Sequence, residues 1–301
     1  MNLESRTRPS MLLLGVLSLI FGALVDAYVF PDYSAFLPYI PLMIMVGYIS
    51  RYLLTGLLFP LAFVIIADFA SPFQWSIQAF MLKWFTFTLT TLVVRMLVNN
   101  LEREKQNLLE FTTALTESLD ARDKYTYDHS KNVAYYSREI AVAMKLSRKE
   151  CENLYIGGLL HDIGKIGVPE NILNKPARLT NEEYDLIKQH PQMGYNILKH
   201  VTMFKDNSIL DMVLYHHEKY DGTGYPQGLK GEDIPLVARI MAVADSFDAM
   251  TSKRIYRNQP NLAYAKGELI KGKQTQFDTE VVDVFLQLLK EKKVKVKSIT
   301  Q

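Results

Sequence analysis

The chain has 301 residues, a formal net charge of +2 and a hydrophobic fraction of 49%. So small a charge gives no global field that would attract nucleic acid, and we predict no nucleic-acid partner. A single cysteine, Cys151, excludes an internal disulfide framework and a cysteine-rich zinc cluster. Charge is unevenly spread, because residues 1–98 are nearly all apolar and most charged residues follow them. The chain therefore divides into an apolar and a polar region.

The apolar region, residues 1–98, is predicted to lie in a lipid bilayer. An apolar run of roughly 20 residues is long enough to span the hydrocarbon, and a signal peptide is the alternative for the first run. Further apolar runs follow at once, which favours about four transmembrane helices. The predicted spans are residues 11–30, 35–50, 52–68 and 73–98.

Positive charges predict the orientation of these spans. Basic residues precede the first span, separate the second from the third at Arg51 and follow the fourth, whereas the other two loops carry aspartate and no Lys or Arg. Lys and Arg mark the cytoplasmic side, so we expect a multi-pass protein of the cell membrane whose chain after residue 99 is cytoplasmic. Lys83, inside the fourth span, is either a functional group or a charge that snorkels or pairs with an acidic residue near a helix end.

Residues 99–118 are predicted to form a helical linker that continues the fourth span. Apolar residues recur there at spacings of seven, three and four, with Glu and Lys between them. This pattern is typical of a short coiled coil and favours a homodimer through the linker and membrane helices. A single helix that packs its apolar stripe on the next domain fits equally well. The stripe consists of Leu101, Leu108, Phe111 and Leu115.

Residues 119–301 are predicted to form an all-α domain. Glu150 lies three residues after Ser147, and Glu183 three after Thr180, which is the spacing of a capping box. The glycine-rich segment Asp221–Gly231 is a predicted loop. We expect helices at residues 130–146, from Ser147 to a stop at Gly164, from Thr180 to His190, and at residues 209–219, 236–250, 261–272 and 279–290.

Histidines point to a metal site. All six lie between residues 129 and 217, several beside a carboxylate, and imidazole and carboxylate are the usual ligands of catalytic transition metals. Ligands on successive helices can converge on a bundle core to hold two metals. A carboxylate between the ions can bridge them, and a hydroxide between ions roughly 3.5–4 Å apart is a good nucleophile toward phosphorus. The candidate ligands are His129, His161, Asp162, His190, His216, His217 and Asp245, with Lys165 placed to stabilise phosphoryl charge.

Four sequence segments resemble one family. They read HDIGKIGVPENIL, LTNEEYDLIKQHPQMG, HHEKYDGTGYPQGLKGEDIP and ARIMAVADSFDAMTSKRIYR. Together they resemble the HD-GYP family, a branch of the HD phosphohydrolase superfamily, over roughly residues 119–290. The resemblance implies an all-helical domain with a two- or three-metal centre, commonly iron or manganese, that hydrolyses cyclic di-GMP to linear pGpG and in some members onward to GMP.

The resemblance also implies individual roles. Asp162 would bridge the two metals, and Lys165 matches the lysine near the scissile phosphate. One metal would be held by His129, His161, Asp162 and Asp245, the other by Asp162, His190, His216 and His217, and the nucleotide would be contacted by Tyr225, Arg254 and Arg257.

Tyr125 departs from the family pattern. Members with three metals carry a glutamate four residues before the first histidine, where this chain has Tyr125. We therefore expect two divalent ions, Fe or Mn, and pGpG as the end product. The loop Asp221–Gly231 matches the segment with which family members are thought to contact diguanylate cyclase domains.

Alternative interpretations remain at this point. A non-hydrolysing receptor for a cyclic dinucleotide or a partner protein could use the same fold, as could an HD phosphohydrolase for another nucleotide. Arg254 and Arg257 could belong to a solvated basic face, and the loop glycines could only shape a turn. His200 matches no ligand position and is expected at the surface, and Cys151 is expected to be buried.

Overall fold

The computed structural model describes a large part of the chain. The chain forms two compact units, Met1–Asn107 and Leu108–Gln301. The predicted all-α fold is confirmed over the described residues, where the regular elements are helices and an isolated bridge joins Lys273 and Phe277. The described residues are Leu17, Ile20, Phe21 and residues 39–50, 52–70, 76–122, 128–205, 208–252 and 262–296.

The apolar region contains helices α1 (Ile40–Ile49), α2 (Leu53–Ala70) and α3 (Ile77–Asp120). Among the described residues, only α3 is both long and apolar enough to cross a membrane. The ten residues of α1 extend about 15 Å, half of a hydrocarbon core. The first predicted span lies mostly outside the described residues, so about four transmembrane helices stays a prediction.

Helix α3 contains the predicted linker and Lys83. The 44-residue helix includes residues 77–98 of the fourth predicted span and the whole predicted linker, residues 99–118, so one helix runs through both. Lys83, near its start, has its Nζ atom 2.7 Å from Oδ1 of Asp68, and both side chains are nearly buried. Pairing with an acidic residue near a helix end was one of the two interpretations of Lys83, and the structure supports it.

The described residues of the unit from Leu108 onward share a hydrophobic core that surrounds α10 (Leu236–Thr251). Phe247 of this helix packs edge to face against Tyr136 and Phe285, with ring centroids 5.3 and 4.8 Å away. All three side chains are fully buried. The other helices are α4 (His129–Ala143), α5 (Arg148–Leu160), α6 (Glu170–Leu173), α7 (Asn181–Ile187), α8 (His190–Leu198), α9 (Ile209–Tyr215), α11 (Leu262–Lys271) and α12 (Thr279–Lys290).

Both predicted capping boxes are confirmed, at Ser147 with Glu150 and at Thr180 with Glu183. Three predicted helix ends were wrong. The helix predicted over residues 209–219 ends at Tyr215, and His216 and His217 follow it. Helix α5 ends at Leu160, and Gly164 lies in a short 3-10 helix, Ile163–Gly167. His190 begins α8 instead of ending α7, because Pro191 is well tolerated in the first turn of a helix.

Gly164 is needed for close packing. A Cβ added there would overlap the carbonyl oxygen of His190 and would lie 2.5 Å from the amide nitrogen of Gly194. Both neighbours are backbone atoms, which cannot move aside as a flexible side chain would. The 3-10 helix therefore lies directly against the start of α8 only because residue 164 has no side chain.

Gly164→Ala is expected to lower the free energy of unfolding by about 1–3 kcal/mol, the usual cost of overpacking. Gly267 of α11 is the matched control, because an added Cβ there meets nothing within 4 Å. Gly267→Ala should leave stability unchanged or raise it by up to about 1 kcal/mol. Urea unfolding measures both, and equal effects of the two substitutions would contradict the packing role of Gly164.

Candidate metal centre

The metal ligands, which were predicted to lie on successive helices, lie mainly at helix ends. His129 and His190 are the first residues of α4 and α8, whereas Asp245 lies inside α10. His161 and Asp162 follow α5, and His216 and His217 follow α9. Most of these side chains are buried. Helix ends from four elements and one helix interior thus converge on a common point.

The ligand atoms form two groups. One consists of Asp162, His190, His216 and His217, and the other of His129, His161 and Asp245. Each residue contributes one nitrogen or oxygen atom, and within a group these atoms lie within 4.8 Å of one another. The structure therefore brings together all the residues for which a metal-ligand role was predicted.

Asp162 lies between the two groups. Its Oδ1 is 3.2 Å from Nε2 of His190, in the first group. Its Oδ2 is 3.2 Å from Nε2 of His161 and 3.9 Å from Nε2 of His129, in the second. This arrangement, with one oxygen toward each group, suits a carboxylate that bridges two metals. The bridging role itself stays a prediction.

Three of the histidines have their ring orientation set by backbone carbonyls. Nδ1 of His161 is 2.8 Å from the oxygen of Gly158, Nδ1 of His190 is 2.7 Å from that of Ile187, and Nδ1 of His216 is 2.9 Å from that of Val213. A carbonyl oxygen only accepts, so Nδ1 must donate in each case. When such a ring is neutral, the form that binds a metal, its lone pair is on Nε2, which faces the centre.

Unshared electron pairs therefore face one another in a buried space. Nε2 of His190 and Nε2 of His216 are 3.2 Å apart, yet neither carries a proton in these tautomers. Nε2 of His161 is buried without a hydrogen-bond partner among the described residues, and the oxygen Oδ2 of Asp162 lies 3.2 Å from it. Such groups are costly unless a cation lies between them. The donor set of imidazole nitrogen and carboxylate oxygen fits divalent transition metals.

The two groups differ in charge. Burial lowers the pKa of His216 well below its ordinary value and that of His217 to about 3, so both rings are neutral. Burial also acts to lower the pKa of His129, but hydrogen bonds to Asp245 and Asp248 outweigh it and raise the pKa to about 10. Burial acts to raise the pKa of Asp162, but His161 and Lys165 hold it well below its usual range.

Asp248 was missed by the sequence analysis. This fully buried carboxylate has its Oδ2 atom 2.8 Å from Nδ1 of His129 and accepts a hydrogen bond from Oγ of Ser252. The contact directs Nε2 of His129 toward the centre, where it lies 3.3 Å from Oδ1 of Asp245. A carboxylate behind a metal-binding histidine fixes its orientation. The i, i+3 spacing from Asp245 is the sequence signal that could have found it.

Glu218 was also missed. It is buried, and its carboxylate accepts hydrogen bonds from the backbone N–H groups of Gln227, Gly228 and Leu229 at 2.7–3.1 Å. These bonds hold the predicted loop, residues 221–231, against the end of α9. The ring of Tyr225 from this loop lies 4.8 Å from that of His217, tilted by 31°.

Two further predicted site residues can be assessed here. Nζ of Lys165 is 2.6 Å from Oδ2 of Asp162, so the lysine is at the centre as expected. Tyr225 is there as well, stacked on a predicted metal ligand. Tyr125, Arg254 and Arg257 lie outside the described residues. His200 is exposed and Cys151 buried, which confirms both expectations.

Metal binding is expected to release about one to two protons per chain at pH 7, because a protonated histidine must lose its proton to become a ligand. His129 is the main source, since its pKa of about 10 keeps it charged at that pH, and the release should disappear above pH 10. Calorimetry of Mn²⁺ binding in buffers of different ionisation enthalpy measures the proton count. His129→Gln should reduce it and His200→Gln should not. Equal proton release by all three proteins would contradict the assignment to His129.

Glu218→Gln is expected to loosen the loop. The carboxylate of Glu218 accepts hydrogen bonds from backbone N–H groups on both of its oxygens. The amide NH₂ group of glutamine is a donor and cannot accept one of these bonds. Loss of charge-assisted hydrogen bonds should lower the free energy of unfolding by about 1.5–3 kcal/mol. Hydrogen exchange at Gln227, Gly228 and Leu229 should become faster. Glu232→Gln, at an exposed position just after the loop, is the control, and equal exchange in both variants would contradict the anchoring role.

Comparison with known proteins gives several relatives. The cyclic di-GMP phosphodiesterase of Thermotoga maritima is 42% identical and the match covers 61% of this chain and 50% of the relative. The cyclic di-GMP phosphodiesterase response regulator RpfG of Xanthomonas campestris is 37% identical, over 62% and 48%. The 3'3'-cGAMP-specific phosphodiesterase 2 of Vibrio cholerae is 33% identical, over 59% and 34%. The chain thus spans half or less of the length of these curated relatives.

A solved structure and a family model also match this chain. A crystal structure of a cyclic GMP-AMP specific phosphodiesterase from V. cholerae has a TM-score of 0.50 at 21% identity, covering 62% of this chain and 49% of that chain, a likeness that shows the fold alone. The family model described as HD domain matches residues 97–281, more than half of the chain. On that match, the chain belongs to the HD domain family.

Proposed function

We propose that the chain is a metal-dependent phosphodiesterase that hydrolyses cyclic di-GMP to linear pGpG. The observation that carries the proposal is Asp162, whose two oxygens face two groups of buried ligands while Lys165 contacts one of them. The names of the relatives support a cyclic dinucleotide as substrate. Tyr125 at the position of the family's third-metal glutamate supports pGpG as the end product.

Divalent ions, Fe or Mn, held by the two groups would supply Lewis-acid polarisation of the phosphate and a water activated at neutral pH. The chain's own residues have separate tasks. The Nδ1–H bonds of His161, His190 and His216 aim Nε2 inward and set the tautomer in which a neutral ring offers Nε2 to a metal. Asp162, whose pKa stays low, remains a carboxylate.

Lys165 would act on the substrate. Hydrolysis adds a water oxygen to phosphorus and releases an ester oxygen, which becomes a hydroxyl. The ammonium of Lys165, half-buried at the centre, is placed to stabilise negative charge on the phosphoryl group or on that leaving oxygen. Tyr225 offers an aromatic face or a hydroxyl to the nucleotide, and burial raises its pKa, so the hydroxyl stays protonated and can donate.

A hybrid cyclic dinucleotide is the second candidate substrate. Three V. cholerae relatives, 33–38% identical, are named 3'3'-cGAMP-specific phosphodiesterases, whereas relatives named for cyclic di-GMP reach 42%. The higher identity favours cyclic di-GMP. A receptor without hydrolysis is less favoured, because none of the predicted ligands is replaced in this chain.

We also propose that residues 1–98 anchor the protein in the cell membrane and that the rest is cytoplasmic. The length and composition of α3 support this. A second copy of the chain is the proposed partner of the linker, since Leu101, Phe111 and Leu115 are exposed along α3. The loop Asp221–Gly231 remains the proposed surface for a diguanylate cyclase domain, a role that rests on the family resemblance.

The function is tested by incubating the Mn- or Fe-loaded protein with cyclic di-GMP and 3'3'-cGAMP and separating the products by chromatography. We expect pGpG as the main product. Lys165→Ala should keep its metal but lose about 100- to 1000-fold in kcat, the usual effect of removing a group that stabilises transition-state charge. His161→Ala should lose both metal and activity.

Lys271→Ala is the matched control, since Lys271 is exposed on α11 and paired with Glu268. Its rate should equal that of the wild type. A metal-replete wild-type protein that leaves cyclic di-GMP intact would overturn the proposed substrate, and turnover of 3'3'-cGAMP alone would establish the second candidate.

A further inference from the structure

The C-terminal end of α3 contacts the backbone on both sides of His161 and Asp162. On the side that precedes His161, the hydroxyl of the buried Thr116 donates a hydrogen bond of 2.9 Å to the carbonyl oxygen of Leu159. Leu159 is in the last turn of α5, whose carbonyls have no partner within the helix. On the side that follows Asp162, the backbone is contacted by Arg122, which lies two residues beyond the end of α3.

Arg122 binds two carbonyl oxygens with one guanidinium group. Its Nη1 donates to the oxygen of Ile166 at 2.7 Å, and its Nη2 donates to that of Val168 at 3.2 Å. Arg122 is itself held, because its own carbonyl accepts a hydrogen bond from Nδ2 of Asn174 at 3.0 Å. The planar fork of arginine suits two acceptors at a fixed separation.

These carbonyls belong to the segment that carries Lys165. The N–H of Lys165 donates to the oxygen of Asp162, and the oxygen of Lys165 accepts from the N–H of Val168. Gly164 is fixed on one side of Lys165 by its contact with α8. Arg122 fixes Ile166 on the other side. Lys165 therefore lies between one point held by packing and one held by hydrogen bonds.

We propose that Arg122 is a positioning residue that holds Lys165 against the centre. The inference rests on the proposed function, because Lys165 has a task only if a phosphate is hydrolysed. Arg122 does not lie in either ligand group, so its role is separate from metal binding. Its effect should appear in the rate of the reaction and not in the metal content.

The test uses the full chain loaded with Mn²⁺ and measures metal content, kcat and KM for cyclic di-GMP. Arg122→Ala should lower kcat about 10- to 100-fold with little change in KM or metal content. Arg122→Lys should recover only part of the rate, because one ammonium cannot reproduce the fork. Added methylguanidinium should raise the rate of Arg122→Ala and leave that of Lys165→Ala unchanged.

A double-mutant cycle separates positioning from general damage to the fold. If Arg122 acts through Lys165, the double variant should have the rate of Lys165→Ala alone, because residues that act as a unit are not additive. Additive losses, or a loss of metal in Arg122→Ala and Arg122→Lys alike, would overturn the proposal.

Arg148→Ala is the matched control, since Arg148 is an exposed arginine of α5 that pairs with Glu152. Its rate and that of the wild type report on the proposed function itself. If the wild type and Arg148→Ala are both active and Arg122→Ala has the same rate, the positioning role of Arg122 is overturned and the proposed function is not. Inactivity of the metal-replete wild type would instead count against the phosphodiesterase, and with it against the role of Arg122.

Discussion

The centre depends on buried imidazole nitrogens that face one another and need a cation between them. Three helix ends create this condition in the same way: His161, His190 and His216 each donate Nδ1–H to the carbonyl three residues earlier, in the last turn of α5, α7 and α9. Those carbonyls are ones that a helix leaves without an internal partner. One hydrogen bond thus satisfies the helix end and turns the opposite nitrogen of the ring inward. Metal ligands at helix ends therefore cost the fold little.

The surrounding structure fixes the segments that these helix ends leave. Gly164 allows the 3-10 helix after Asp162 to lie against the start of α8, where His190 begins. Glu218 binds three backbone N–H groups and so closes the loop that brings Tyr225 onto His217. The contacts of Gly164 join backbone to backbone, and those of Glu218 join backbone to a buried carboxylate. The centre is consequently preorganised by groups that have few alternative conformations.

The sequence predicted which residues meet, but not how the helices present them. Clustered histidines and the family segments identified the seven residues that form the two candidate ligand groups, and the capping boxes gave two helix starts correctly. The end of α5 was placed too late, because Gly164 was interpreted as a conformational stop when its role is close packing with a residue 26 positions away in the chain. Asp248 and Glu218 were missed because their partners are a distant histidine and backbone N–H groups. Periodicity reports on neighbours within a helix, so it could place Asp248 beside Asp245 but could not show its contact with His129 or the loop bonds of Glu218.

Lys165 shows why placement matters more here than charge alone. Its ammonium is 2.6 Å from Oδ2 of Asp162, the oxygen that also faces His161 and His129. A cation held by the second ligand group would share this oxygen with Lys165. The lysine must therefore lie close enough to reach a phosphate. It must also lie far enough from the carboxylate that it does not compete with the cation. Coulomb energy varies steeply at such separations in a buried site. A segment fixed at Gly164 on one side and through Ile166 by Arg122 on the other restricts the lysine to a narrow range of positions.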